Sequence, residues 1–479
     1  RHKKCTENTF PECGACIRLN LECVREPKRQ IAPDPRTHPG ESSAAPSVRT
    51  VDPVNFFHDY HPFTIRETDR TSMRQYAMKY YINIMTQMLT VSQQYNSFLS
   101  EFVPMSIVSP ALSGALISWA AGHLAAAADE RYRITALEAR STALGHLALA
   151  LSTPSQNDNV CTHAATCLVL LTSEVCLGNQ TGWYAHLLGA KSIILAATTT
   201  TPSGVVGPHA LKSTPEGQWI LRNFAYHDIL GSVTLGTKPL LRADYLHDIT
   251  EGVVDTYLGV AAGILPLIAE ISFLDSPRRG GDNGTQATLC SHELDPEVYS
   301  SCTDIEQKLL AWRCPNTTST ASPSLVALAY AYRSAAEIYL YRRMRGFLPR
   351  HRSSSPSWGD ARQRGRPDNM LGTKMAVAVA ETLAHIREIP WAEQVESALL
   401  FPLFLAGGEV TTPDAMAVIR RRLELMFARR RFENIALARA ILEEVWERRL
   451  REAETGSLAG SGVDWEEILA RRGDQLLLT

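Results

Sequence analysis

The chain has 479 residues, of which 45% are hydrophobic, and a formal net charge of −2. This is enough apolar material for a buried core, and the near-neutral balance excludes a whole-chain argument for nucleic-acid binding, so any such argument must be local. The longest apolar run, residues 257–269, contains Pro266 and is shorter than the roughly 18–20 residues that a membrane span needs. We therefore expect no membrane partner and a soluble, intracellular protein.

The first 23 residues are poor in apolar side chains and rich in cysteine. Four of the ten cysteines of the chain lie there, at Cys5, Cys13, Cys16 and Cys23. A Cys-x-x-Cys pair can turn both thiolates onto one metal ion, and zinc takes four such ligands in a tetrahedron. Since so polar a stretch has few core residues, metal binding would supply its folding free energy. The sequence predicts a zinc site in residues 1–23.

Basic side chains accompany these cysteines. Residues 1–30 hold seven Lys or Arg and four Glu, which gives a local net charge of +3. A short helix with basic residues at its end can place cations on phosphates and donors on base edges in the major groove. A basic N-terminus alone is usually solvated surface, but this one adjoins the cysteines. The residues predicted to bind DNA are Arg1, His2, Lys3, Lys4 and Arg18.

A linker is expected after the cysteine segment. Residues 28–70 hold many Pro, Ser, Arg and Asp and show almost no apolar periodicity, which is typical of a flexible linker. They contain no heptad repeat, so no coiled coil is predicted directly after the cysteines. The expected organisation is a cysteine-rich module at 1–27, a linker at 28–70 and a helical domain at 71–479.

Apolar residues recur at helical spacing in the rest of the chain. One helix face is formed by Met73, Tyr76, Ala77, Tyr80, Ile84 and Met88. Further helices are predicted at 111–127, 135–151, 160–177, 183–196, 216–230, 253–273, 324–345, 373–386, 413–428 and 433–448. Few alternating patterns compete with them, and clusters of Gly, Pro and Ser at 276–284 and 351–367 predict exposed loops. The predicted fold class is mainly α, with one large all-helical domain.

The cysteine segment resembles the second half of the fungal zinc binuclear-cluster (Zn2Cys6) module. That module repeats Cys-x2-Cys-x6-Cys, with a basic run before its third cysteine and a proline two residues before its fourth. Here the basic run at residues 1–4 precedes Cys5, Pro11 stands two residues before Cys13, and the last two cysteines follow at the family spacing. The first two cysteines of the family would lie before residue 1, so we expect the printed chain to be N-terminally incomplete.

This resemblance implies a role for each cysteine. Cys13 would bridge two zinc ions, Cys5 would bind the first ion, and Cys16 and Cys23 would bind the second. A complete cluster therefore holds two Zn(2+) ions, whereas the four cysteines printed here could hold one ion at best. Zinc is the only cofactor that the resemblance implies.

The same resemblance implies a DNA-binding function. Arg1 and His2 would contact bases and Lys4 would face phosphates, because a zinc module of this kind places its helix in the major groove of double-stranded DNA. The predicted function is a sequence-specific, zinc-dependent regulator of RNA polymerase II genes, located in the nucleus. The alternative is a helical scaffold or ligand-binding regulatory protein without a functional DNA-binding cluster.

Phrases in the remaining chain resemble the fungal-specific transcription-factor domain, which is an all-helical regulatory domain. Residues 182–190 match the phrase Trp-x-x-His-Leu-x-Gly-Ala. Weaker phrases follow the family order at 96–105, 116–124, 167–171, 226–230, 339–341, 401–407 and 465–469. The resemblance implies transcriptional co-regulators as partners and leaves a homodimer open.

Two residue pairs in the helical region could suggest chemistry but are better explained by packing. Trp183 and His186 share a helix face, which favours a hydrogen-bonded core histidine over a ligand site. His227 and Asp228 are neighbours, whose side chains point about 100° apart on a helix, so we expect no catalytic dyad. The sequence also contains no nucleophile motif, Walker loop or dinucleotide fingerprint, and we predict no enzyme.

Two larger clusters also have simple interpretations. Cys161, His163, Cys167 and Cys176 do not share one helix face, which favours buried free thiols over a metal site. The arginine runs at 420–422 and 429–431 are most simply a solvated helix face. A nucleic-acid or partner-binding patch is the alternative for these arginines.

Overall fold

The computed structural model describes residues 70–152, 160–179, 181–199, 204–274, 296–315, 321–347, 367–454 and 464–479. These stretches form helices joined by turns. They contain no β-strand, and their β-type backbone pairing is limited to two isolated antiparallel bridges, Thr198–Val206 and Asp255–Gly259. The prediction of a mainly α fold with a large all-helical domain is confirmed for the described residues.

The described α-helices are labelled α1 to α18 in chain order. They are α1 Arg70–Tyr80, α2 Thr86–Leu89, α3 Val103–Val108, α4 Pro110–Ala127, α5 Tyr132–Ser152, α6 Val160–Cys176, α7 Trp183–Ala196, α8 Pro208–Leu211, α9 Pro215–Leu235, α10 His247–Thr250, α11 Leu265–Phe273, α12 Pro296–Ala311, α13 Pro323–Phe347, α14 Pro367–Glu388, α15 Leu400–Glu409, α16 Pro413–Arg430, α17 Glu433–Glu454 and α18 Trp465–Arg472. The predicted loop at 276–284 lies outside the described residues. The predicted loop at 351–367 does so except for its last residue, which begins α14.

Helix boundaries follow local chemistry. α4 begins with Pro110, whose fixed φ suits a first helical turn, and the Ser109 hydroxyl accepts a hydrogen bond from the Leu112 N–H at 3.2 Å. Gly236 directly follows α9 and Arg431 directly follows α16, and both lie in the left-handed region with φ of 63° and 53°. Glycine adopts this conformation freely, whereas Arg431 must be held there by its surroundings.

The first helix shows the predicted amphipathic face. α1 runs through a π-helical turn, Tyr81–Met85, into α2. Of the six residues predicted to share a face, four are buried and two are partly buried against the core, namely Ala77, Tyr80, Ile84 and Met88, then Met73 and Tyr76. The three-and-four spacing therefore identified the core side of this segment correctly.

α4 and α5 form a tightly packed antiparallel hairpin. Their close approach depends on Gly114, because a Cβ built there would lie 3.1 Å from the Cβ of Ala143. One turn further along α4, the Ser118 hydroxyl donates to the Ala136 carbonyl at 2.9 Å. The beginning of α4 and the end of α5 therefore lie at the same end of the hairpin.

The predicted helix at 253–273 is wrong over its first half, because α11 begins only at Leu265. Asp255 organises a turn instead, since its carboxylate accepts hydrogen bonds from the N–H groups of Tyr257 and Leu258 at 2.8 and 3.1 Å. Gly259 then takes a left-handed φ of 57°. The apolar side chains of this stretch are buried in the core. Apolar composition alone does not distinguish a buried turn from a buried helix.

Residues 475–479 join three helices. The Trp183 indole N–H of α7 donates to the Gln475 carbonyl at 2.9 Å, and the Asn434 amide of α17 donates to the Thr479 carbonyl at 2.7 Å. The Thr234 hydroxyl of α9 donates a hydrogen bond to the Leu476 carbonyl, which lies between these two residues in the segment. This extended segment is therefore part of the core, with the side chains of residues 476–478 buried.

Candidate functional site

The residues predicted to bind zinc and DNA all lie at positions 1–23, outside the described residues. This holds for the metal ligands Cys5, Cys13, Cys16 and Cys23 and for Arg1, His2, Lys3, Lys4 and Arg18. Their roles therefore remain predictions. Within the described residues, no group of three or more His, Cys, Asp or Glu side chains could hold a metal ion.

The arginine runs of α16 are not a simple solvated face, so that interpretation is wrong for half of them. Glu396 lies in a 3-10 turn, Gln394–Ala398, and is fully buried. Its carboxylate contacts Arg422 at 2.8 Å, Arg429, and Arg430 at 4.0 Å. We call these four residues the Glu396 cluster. The sequence could not reveal it, because the partner of the arginines is far from them along the chain.

The Glu396 cluster carries more positive than negative charge. The positive charge of Arg422 is stabilised by hydrogen bonds that its guanidinium donates to the carbonyls of Ile389 and Pro390, both at 3.2 Å. The guanidinium also lies 4.4 Å from the centre of the Trp391 ring. Burial lowers the pKa of Arg430 to about 10, although Glu396 opposes this. Arg430 stays charged at neutral pH and holds elements together, which leaves it unavailable to nucleic acid.

A buried histidine connects this cluster to the first helix. His123 of α4 bonds through Nε2 to the Arg430 carbonyl at 2.7 Å and through Nδ1 to the Tyr80 hydroxyl at 2.9 Å. Since a carbonyl only accepts, Nε2 carries the proton and Nδ1 accepts from Tyr80. His123 is thus a neutral, structural residue that joins α1, α4 and the end of α16.

The structure confirms the packing interpretation of His227 and Asp228. His227 is fully buried and bonds to the Asn223 carbonyl at 2.8 Å. The Asp228 carboxylate accepts from the N–H groups of Leu240 and Leu241 at 2.8 and 3.1 Å. Burial raises the pKa of Asp228 to about 6, against the effect of these two bonds. His227 bonds within its own helix and lies 3.3 Å from the Thr172 hydroxyl of α6, whereas Asp228 holds the 240–241 loop, so the two side chains form no dyad.

The other sequence-based interpretations are also packing features. Trp183 is fully buried, as the packing interpretation predicts, whereas His186 is only partly buried and its Nε2 lies 3.9 Å from the Glu174 carboxylate. Burial raises the pKa of the Cys161 thiol to about 11 and that of Cys167 to about 12. These thiols are therefore protonated at neutral pH and suit a core better than a metal site.

A cavity of about 520 Å³ lies beside α14. One wall is an i, i+4 row of α14, namely Leu371, Met375, Val379, Leu383 and Arg387. The opposite side combines the end of α15 with the beginning of α16 and contributes Glu409, Val410, Thr411, Thr412 and Ala415. The volume falls within the about 300–1,000 Å³ of small-ligand pockets. No sequence motif indicated this cavity. The last residue of the α14 row, Arg387, is exposed at its edge.

The model of the fungal specific transcription factor domain matches residues 76–479. The chain belongs to this family. Over 275 residues it is 22% identical to the transcriptional activator protein UGA3 of Saccharomyces cerevisiae. This alignment covers 48% of this chain and 52% of the yeast protein. The chain thus spans about half the length of this relative. No solved structure matches it. Family and relative support a role in transcription regulation, and the resemblance stated for the helical region is confirmed.

The cavity and the Glu396 cluster both lie in the fungal-specific domain, within the matched residues. The phrase at 182–190 coincides with most of α7, where Trp183, Leu187 and Ala190 are buried. The described helices of the domain include none long and apolar enough to cross a membrane. Within this phrase Trp183, Leu187 and Ala190 are core-packing positions, whereas Leu188 is 40% exposed.

Replacing His123 with glutamine is expected to weaken the pH dependence of stability. Burial lowers the pKa of His123 to about 4, from 6.5 in the unfolded chain, so the unfolded chain binds the extra proton first as the pH falls. The contribution of neutral His123 is present above pH 6.5 and is lost as the pH falls towards 4, by about 2.5 kcal/mol near pH 4.5.

Urea unfolding of wild type and His123→Gln at a series of pH values measures this effect. The stability difference between the two proteins should be constant above pH 6.5 and should change in favour of the variant below it. A difference that stays constant down to about pH 4.5 would show that His123 does not titrate as its burial requires.

Proposed function

We propose that this protein is a sequence-specific DNA-binding regulator of RNA polymerase II transcription, acting in the nucleus through a zinc cluster. The observation that carries the proposal is the membership of residues 76–479 in the fungal-specific domain family, together with the cysteine spacing that precedes it. The similarity to a yeast transcriptional activator supports the same conclusion.

The proposed roles follow the cysteine pattern. Cys13 bridges two zinc ions, while Cys5 binds one of them and Cys16 and Cys23 bind the other. The ion bound by Cys5 then needs two more thiolate ligands and the ion bound by Cys16 and Cys23 needs one, and a Cys-x-x-Cys-x-x ahead of residue 1 supplies them if its first cysteine also bridges the two ions. The basic residues at 1–4 and Arg18 contact double-stranded DNA, so binding should weaken steeply with salt as phosphate counterions are released.

Replacing Cys13 with serine is expected to remove both zinc ions and all specific DNA binding from a protein that carries the complete cluster. The reason is that a bridging thiolate holds both ions and that metal supplies the folding free energy of the module. Zinc content by mass spectrometry and a mobility shift at several salt concentrations measure the two effects. Cys314→Ser is the matched control, because Cys314 is half-buried in the fungal-specific domain.

Specific DNA binding retained by Cys13→Ser would contradict the ligand assignment. Fewer than two zinc ions per chain, with no Cys-x-x-Cys-x-x in frame ahead of residue 1, would favour the alternative function. In that alternative the protein is a helical scaffold or a ligand-binding regulatory protein. The cavity beside α14 is the specific observation that favours ligand binding.

A further inference from the structure

α5 has an apolar face that no described part of the chain covers. Its buried face packs mainly on α4 and consists of Tyr132, Thr135, Ala139, Ala143 and Leu147. Four large exposed side chains lie on the opposite face, Ile134 at 65%, Leu137 at 60%, Leu144 at 37% and Leu151 at 49%, while Leu149, at 61%, lies to one side of it. No other described helix carries as many exposed large apolar residues.

The exposed positions repeat like the seam of a coiled coil. Positions 134, 137, 141, 144, 148 and 151 alternate in steps of three and four residues, as the core positions of a heptad do. The two small residues in this row, Ser141 and Ala148, are exposed, and a Cβ built on Gly145 beside them would meet nothing within 4 Å. None of the six residues is charged. We call these six residues the α5 seam.

The order of large and small residues along the α5 seam suits a second copy of the same helix. In an antiparallel pair with its twofold axis between Thr142 and Ala143, the facing residues are Ile134 with Leu151, Leu137 with Ala148, and Ser141 with Leu144. In the middle layers each large residue then meets a small one, which lets the helices approach closely there, and each end layer pairs two large residues. We propose that two copies of this chain associate through the α5 seam in antiparallel orientation.

The charges at the ends of α5 favour the antiparallel orientation. α5 has no acidic residue in its first turn and no basic residue in its last turn. Antiparallel copies place the positive N-terminal end of each helix beside the negative C-terminal end of the other. Arg133, whose side chain is 71% exposed and pairs at 3.2 Å with the exposed Glu130, would lie beside the last turn of the second copy. A parallel pair would instead bring like ends together.

The area of the α5 seam sets the strength of the dimer. A helix of 21 residues is about 30 Å long and about 10 Å wide, which offers roughly 300 Å² per copy. Ile107 and Val108, 82% and 73% exposed, are the last two residues of α3, at the hairpin end that also holds the end of α5, and they add apolar surface at that end. A standard interface buries about 800 Å² per partner. The dimer should therefore dissociate on dilution.

Sedimentation of the full 479-residue chain across a wide concentration range tests this proposal. A zinc chelator in the buffer removes any contribution of the predicted cluster. We expect a monomer–dimer equilibrium whose Kd rises at least about tenfold in Leu137→Glu, because a charge replaces a buried leucine in the pair. The double variant Leu137→Glu/Ala148→Lys should recover the dimer, since residue 137 of each copy faces residue 148 of the other.

Leu195→Glu is the matched control, because Leu195 is an exposed leucine at 46% on α7, and it should leave the equilibrium unchanged. Circular dichroism must show equal helix content in all variants; if Leu137→Glu does not fold, Ser141→Arg tests the same seam. A chain that stays monomeric at every concentration, or a dimer insensitive to Leu137→Glu, overturns the proposal. Failure of the double variant to recover overturns the antiparallel arrangement.

Discussion

Replacing Glu396 with glutamine is expected to destabilise the fungal-specific domain by about 3–5 kcal/mol, because removing one partner of a buried ion pair leaves the other charge uncompensated. Glutamine keeps the size of the side chain and removes only its charge. The Arg422 and Arg430 side chains are 4% and 8% exposed and cannot reach water without opening the core. The loss should therefore appear as a lower unfolding midpoint.

Urea unfolding followed by circular dichroism measures this loss. Glu424→Gln is the matched control, since the Glu424 side chain is 38% exposed and contacts Arg421 and Arg439 at 3.7 and 3.8 Å. Exposed pairs of this kind contribute about 0–1 kcal/mol. Equal losses in the two variants would show that the buried position of Glu396 does not determine its contribution.

Replacing Arg342 with methionine is expected to destabilise the domain by about 3 kcal/mol and to loosen α18. Arg342 of α13, with 3% of its side chain exposed, contacts Glu409 of α15, Asp464 at 2.5 Å and Glu466 at 3.1 Å. Its guanidinium also lies 4.6 Å from the centre of the Trp465 ring. Methionine keeps the apolar stem and leaves Glu409 and Asp464 without their shared cation.

Hydrogen exchange of α18 together with urea unfolding measures both effects. Burial alone would raise the pKa of Asp464, but the nearby Arg342 more than reverses this, so its pKa lies below the usual range. Arg345→Met is the control, because Arg345 binds the same Glu409 at 3.0 Å with 48% of its side chain exposed. It should cost less than about 1 kcal/mol. Unchanged exchange of α18 in Arg342→Met would contradict the assigned role.

Most long helices could be located from the sequence because their apolar residues repeat every three or four positions. The predicted helices at 160–177, 183–196 and 413–428 differ from α6, α7 and α16 by at most a few residues. α12 and α15 were not predicted. α15 has ten residues, nearly all of them apolar and buried, and so short an apolar run does not by itself distinguish a helix from other buried structure.

The zinc and DNA-binding site could be predicted only from the sequence, since cysteine spacing is a local property of the chain. The structural role of the arginine runs could not be predicted in this way. Arg420 contacts Glu443 at 3.3 Å and lies on the wet side of α16, whereas Arg422, two residues later, is buried against Glu396. Residues two apart on a helix point to different sides, and only the packed neighbours decide which side is buried.

The sequence by itself determined the all-helical fold, the amphipathic face of α1, the cysteine spacing and the resemblance to the fungal-specific domain. Each of these depends on residues close together in the chain. Tertiary structure alone decided that 253–264 form a buried turn, that Glu396 pairs with Arg422, Arg429 and Arg430, that α14 borders a cavity and that one face of α5 stays exposed. These features depend on which distant helices pack together, and burial and charge pairing are set by those contacts.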